Sequence, residues 1–238
     1  MRRLVPATLL AISLAVTMTA CDPAGTPTPT GSATSGTPTD GATATPTPSP
    51  TPVTAPARAD LALSPEGMGT LVFGVAPSTA AATQMLVLDP EFCTDANTGY
   101  GIGIGPGDPE AALWVPIPAY RDGREGDFGV SVDGGVLNRI DLYDGTIPTT
   151  EGVRIGDTRA DVVAAYPGAT LVGEYLTDIY VITGVAGSLQ IEVAHQPSDM
   201  TYWEPGEVDT VRFIHAVVTG FAPFTVAASE NIAGICPF

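Results

Sequence analysis

The sequence predicts an α+β fold of two similar units, each a glycine turn and short helix followed by a three- to four-stranded antiparallel sheet. Two observations predict it. A course of strand, glycine, turn and helix occurs twice, around Gly74 and Gly156. Each occurrence leads into short runs of Val, Ile, Leu, Phe and Tyr with two-residue alternation, the period of a half-buried strand. The units fall at about residues 61–146 and 147–238.

Taken in chain order, the first unit opens with Gly69 to Val75 as an extended stretch, and a helix is expected from Pro77 to Leu86. Proline is tolerated in a first helical turn because its missing N–H would be unpaired there, and Asp89-Pro90 ends the segment. Strands are expected at Leu113–Ile117, Phe128–Asp133 and Val136–Tyr143, the last two joined by Gly134-Gly135 as a tight hairpin turn. In the second unit Gly152 to Ile155 leads into Thr158-Arg159-Ala160-Asp161, a capping-box-like helix start. Val162, Val163 and Tyr166 form one apolar face and Pro167-Gly168 stops the helix. Strands follow at Ile179–Thr183, Leu189–Ala194 and Val208–Val217, with a long loop from Gln196 to Gly206.

The run Ile155-Gly156-Asp157-Thr158-Arg159-Ala160-Asp161-Val162 resembles the repeat of the β-lactamase-inhibitor-protein fold and of small outer-membrane-assembly lipoproteins of the SmpA/OmlA type. The earlier copy departs from it with Val75-Ala76-Pro77 where a polar cap is expected. The chain is also similar to uncharacterised lipoproteins of high-GC Gram-positive bacteria, being rich in Ala, Gly, Pro and Thr and without lysine. The resemblance implies a fold and assigns no activity.

Ahead of the module, residues 1–20 read as an export signal: Arg2 and Arg3, an uncharged apolar stretch from Leu4 to Val16, then Met18-Thr19-Ala20. That stretch is shorter than the roughly 20 residues a spanning helix needs. Thr19 and Ala20 before a cysteine resemble the bacterial lipobox, which implies that Cys21 is acylated and becomes the new N-terminus. Lipidation would place the protein on the outer face of the cell membrane, with the bilayer as its first partner. Residues 22–58 hold eleven Thr and nine Pro in 37 positions and only one β-branched aliphatic, Val53. Such a segment cannot bury a core and reads as a disordered tether. Three cysteines leave one over from any single pairing. With Cys21 assigned to lipid, an oxidising compartment makes Cys93–Cys236 the expected disulfide, the alternative being two buried thiols.

Residues 59–238 carry 24 of the 26 acidic and six of the nine basic residues, a net charge of −18. Phosphate recognition needs clustered Lys and Arg, so nucleic acid is excluded as a partner. The two histidines, His195 and His215, lie in strand-like text without metal-ligand spacing. Glu192 and His195 are three apart on a strand and point to opposite faces. No Gly-x-Ser-x-Gly elbow is present, and a Ser-x-x-Lys pair is impossible without lysine. The run from Asp95 lacks both the glycine and the terminal glutamate of a calcium loop, having Tyr100 and Pro106 there. The glycines from Gly101 to Gly107 precede no Lys-Ser/Thr, so they make no phosphate cradle. No metal or other cofactor is expected. What remains is a possible recognition surface of Tyr202 and Trp203 in the long loop and Trp114 in the first unit.

The sequence therefore points to a membrane-anchored, non-enzymatic module that binds an envelope protein or cell-wall glycan. Two alternatives stand beside it: an inhibitor of a secreted enzyme, and an envelope hydrolase or metal-dependent enzyme using His195 and His215.

Overall fold

A computed structural model describes residues 54–96, 104–122, 126–227, 229 and 231–236. The leader, Cys21, most of the tether, and the glycine-rich stretch from Tyr100 to Gly103 lie outside these residues.

The folded part is mostly antiparallel sheet. In chain order its strands are β1 (Leu63–Ser64), β2 (Gly67–Met68), β3 (Leu71–Val72), β4 (Leu86–Asp89), β5 (Leu113–Pro116), β6 (Phe128–Asp133), β7 (Val136–Leu142), β8 (Thr170–Gly173), β9 (Thr177–Thr183), β10 (Gly187–Ala194) and β11 (Val211–Val218). The α-helices among the described residues are two short ones, α1 (Phe92–Ala96) and α2 (Arg159–Ala165). Strands β1 to β3 make one small sheet and β4 with β5 another, while a six-stranded sheet runs in the order β6-β7-β11-β10-β9-β8.

That order corrects the expectation of an α+β fold with two similar units. Strand β7 pairs with β11, Ile140 opposite Ala216 and Asp141 opposite His215, so strands from the two proposed halves share one sheet. The first expected helix is also absent: between Pro77 and Leu86 the chain makes turns and one 3-10 turn at Ala82–Gln84, whose N-cap residue Ala81 has no capping side chain. The contrast with α2 is physical. There Thr158 accepts from the Asp161 amide and Asp161 accepts from the Thr158 amide, satisfying backbone groups that a helix start otherwise leaves orphaned.

One face of the large sheet is apolar. Phe128, Val130, Ile140, Leu142, Leu189, Ile191, Ile214 and Ala216 pack in one cluster with Leu61, Leu63, Met68, Leu71, Met85, Ile147, Val153 and Val162 from outside the sheet. The short ribbons and α2 thus exist to cover this face. Gly134 and Gly135, at φ 57° and 81°, form the turn between β6 and β7 that only a residue tolerant of positive φ makes without strain. The module begins inside the segment that composition assigns to the tether: Tyr120 donates to the Pro56 carbonyl, and Arg58 pairs with Asp122 and Asp127.

Candidate functional site

The second face of the six-stranded sheet carries a buried polar layer. Side chains alternate along a strand, so Arg139 and Asp141 on β7, His215 on β11, Gln190 and Glu192 on β10 and Thr177 on β9 all project to that face. Each of the six is buried. What covers them is the C-terminal segment, described at residues 221–227, 229 and 231–236, an irregular strap laid across the sheet.

The strap is held by the polar side chains beneath it. Glu192 accepts from the Val226 amide at 2.6 Å, from the Thr225 hydroxyl at 2.7 Å and from the Thr177 hydroxyl at 2.8 Å. Asp141 accepts from the Ala233 amide at 2.9 Å and from Arg139, which also donates to the Asn231 carbonyl at 2.6 Å. Gln190 accepts from the Phe224 amide at 3.2 Å. The Phe224 ring stacks on His215 at 4.6 Å, with the Arg139 guanidinium 4.6 Å from its centroid. A strap without its own ladder thereby has backbone groups paired by side chains, as a buried segment requires. At its end Cys236 is bonded to Cys93, and Phe92, Val115 and Cys236 pack together. Close approach demands glycine at position 129, where a Cβ would overlap the Ala233 carbonyl and the Tyr143 ring.

His215 is the unusual member of this layer. The Gln190 carbonyl oxygen lies 3.0 Å from Nε2, which places the neutral ring's proton there and leaves Nδ1 without a partner, 3.9 Å from Glu192. Burial, together with the nearby Arg139 charge, pushes its pKa down to about 3. Between that value and the ordinary 6.5 the unfolded chain binds a proton that the fold does not, so stability falls on acidification through this window. Burial acts oppositely on Glu192, raising its pKa against the pull of its donors, which favours the fold on the acid side. Wild type measured relative to His215→Gln isolates the histidine: the stability difference is expected to move against wild type by about 1.4 kcal/mol per pH unit from pH 6.5 towards 3. Urea midpoints across that range check it, and a flat difference would refute it.

The two histidines do not converge. His215 pairs with Gln190 inside the sheet, whereas His195 follows the end of β10, five residues or roughly 16 Å further along the strand. His195 is half-exposed, with Nδ1 3.7 Å from Asp178. Asp178 belongs to an ion-pair cluster on Arg159, which also bonds Asp209 and the Tyr180 hydroxyl. Among the described residues no three His, Cys, Asp or Glu side chains are gathered to hold a metal ion.

The loop after β10 positions Trp203 and Tyr202. Trp203 is 7% exposed, its indole N–H donates to the Leu176 carbonyl at 2.7 Å, and it packs with Leu176, Ala194 and Ala227. It anchors the loop, and the Arg212 guanidinium lies 5.5 Å from its ring centroid. Tyr202 is 46% exposed, sits edge-on to Trp203, and donates to the Ala227 carbonyl at 3.0 Å. Trp114 is half-buried on β5, opposite Leu88, and lines a cavity of about 520 Å³ with Arg139, Ser131 and Asn231. It is therefore separate from Tyr202 and Trp203. A second cavity, about 230 Å³, lies against Asp141, His215, Phe213 and Val226. The expected disulfide is present. Sequence reasoning missed the polar layer because alternating Arg139-Ile-Asp141-Leu and Gln190-Ile-Glu192-Val read as strands with one solvent face.

No family model and no curated protein matches the chain. Among solved structures it is similar to the crystal structure of the uncharacterized protein YfeY from Escherichia coli, at 16% identity and a TM-score of 0.36, over 66% of this chain and 99% of that one.

Proposed function

We propose that the protein is a lipid-anchored extracytoplasmic module that binds another envelope protein and carries out no chemistry of its own. The observation that supports this best is the use made of its buried ionisable groups: Arg139, Asp141 and Glu192 all hold the C-terminal strap. Side chains spent on orienting backbone amides are not poised to exchange protons with a substrate. Among the exposed side chains are the aromatics Tyr175 and Tyr202, a residue type that carries a disproportionate share of binding energy at interfaces. Anchoring is supported by the Cys93–Cys236 bridge, which belongs to an oxidising compartment and leaves Cys21 for a thioether to lipid.

Two measurements test the reading. Cys21→Ser is expected to move the protein from the membrane fraction into the medium and to abolish metabolic labelling with palmitate; a variant that stays membrane-bound and labelled would sink the anchor. In-cell photocrosslinking from the loop around Tyr202 is expected to give a discrete protein adduct, and steady turnover of an envelope substrate by the purified chain would displace the binding reading.

A further inference from the structure

We infer that Tyr175, Met200 and Tyr202 form a docking surface for an extended, basic segment of a partner protein, with its Arg or Lys side chains set against the tyrosine rings. This deepens the binding-module reading and rests on it. The three side chains are 55%, 45% and 46% exposed. They belong to one edge although two loops supply them. Tyr175 precedes Leu176, whose carbonyl holds the Trp203 indole, and the Tyr175 hydroxyl donates to Asp199 at 2.6 Å. Gln196 donates to the Met200 carbonyl at 2.6 Å and accepts from the Trp203 amide at 3.1 Å. Tyr202 is fixed by its hydroxyl on Ala227 and by its contact with the Trp203 ring, 4.9 Å between centroids. The exposed surfaces are thus presented by a frame that is already ordered, which lowers the entropy lost on binding.

Charge selects the occupant. Asp178, Glu207 and Asp209 are each paired with an arginine. Glu174, Asp199 and Glu204, beside the exposed tyrosines and methionine, are exposed and in no ion pair among the described residues. Unneutralised carboxylates around aromatic faces attract a cation through both the charge and the ring quadrupole. They repel an anionic lipid surface and the carboxylates of cell-wall muropeptides. A neutral segment would gain nothing from them. The module's net charge of −18, without a lysine, extends the attraction beyond contact range and speeds encounter with a basic partner.

The test uses the full chain in detergent and a labelled twelve-residue peptide of alternating Arg and Ser, with a Gln/Ser peptide as the uncharged probe, read by fluorescence anisotropy. The expected result is binding of the Arg peptide alone, weakened about 10-fold by Tyr175→Ser with Met200→Ser, which leave the charge unchanged. Asp199→Asn with Glu204→Gln is expected to weaken it about as much, while Glu110→Gln with Asp133→Asn, which removes the same charge from the β5 and β6 side, leaves it within about two-fold. Thermal melting of each variant confirms the fold, and Tyr202→Ser adds an independent substitution in the same patch. The inference is overturned if the remote charge pair weakens binding as much as the local one. It is equally overturned if the tyrosine and methionine changes are silent, or if a soluble muropeptide binds the patch in place of the Arg peptide. A discrete in-cell protein adduct together with any of those outcomes would leave the binding-module reading standing without this one.

Discussion

Glu192→Ala is expected to lower the stability of the module by about 3–5 kcal/mol and its Tm by about 10 °C. The carboxylate is fully buried and receives the Val226 amide and the hydroxyls of Thr177 and Thr225. Deleting it strands those donors away from water, at roughly 1–3 kcal/mol for each group left unpaired. The sum is less than three full penalties, because the two hydroxyls lie 3.1 Å apart and can turn to pair with each other. Glu192→Gln is expected to cost about half as much: its carbonyl keeps the Val226 amide, and both hydroxyls can rotate to accept from the new amide group. The strap should loosen before the sheet melts. Hydrogen exchange at Val226 is therefore expected to rise far more than at Ile191, and equal acceleration at both sites would refute the assignment of Glu192 to the strap.

Loss of the disulfide, by Cys93→Ser with Cys236→Ser, is expected to cost about 3–5 kcal/mol. The bridge spans a sequence separation of 143, so it removes a large loop-closure entropy from the unfolded chain. The effect should appear as a lower urea midpoint with a larger m-value, because the unfolded chain without the bridge exposes more surface. Reduction of the wild-type protein should reproduce it; an unchanged midpoint after complete reduction, verified by mass, would contradict it. Combined with Glu192→Ala, the loss should be less than additive, since both changes release the same segment.

What the sequence revealed, it revealed through local chemistry. The alternating runs placed β5, β6, β7, β9, β10 and β11 within a few residues of their observed bounds, and Thr158 with Asp161 marked the start of α2. Pairing was not legible, because alternation says which residues share a face and nothing about the neighbouring strand. Two similar local courses therefore looked like a duplication, while the registers Ile140 to Ala216 and Asp141 to His215 join them into one sheet. The Ala-rich run after Pro77 offered helix propensity without a cap, and propensity alone does not nucleate so short a helix. Cys236 hinted that the C-terminus folds back, yet the strap has no periodicity by which its position could be found. Tyr202 and Trp203 were visible as a pair. Their division of labour, one anchoring and one exposed, depends on Leu176 and Ala227, which are distant in sequence.

The strand order also sets a schedule. The β6–β7 hairpin is complete by Leu142, but the strand that pairs with β7 begins only at Val211 and the strap that covers the polar face follows it. As a chain emerges from its N-terminus, the free edge of β7 waits for most of the remaining sequence, and the polar layer stays wet until the last sixteen or so residues arrive. A truncation before Ile214 therefore leaves the edge of β7 open, an edge of the kind that recruits other chains, so the arrival of β11 is the step that closes the sheet.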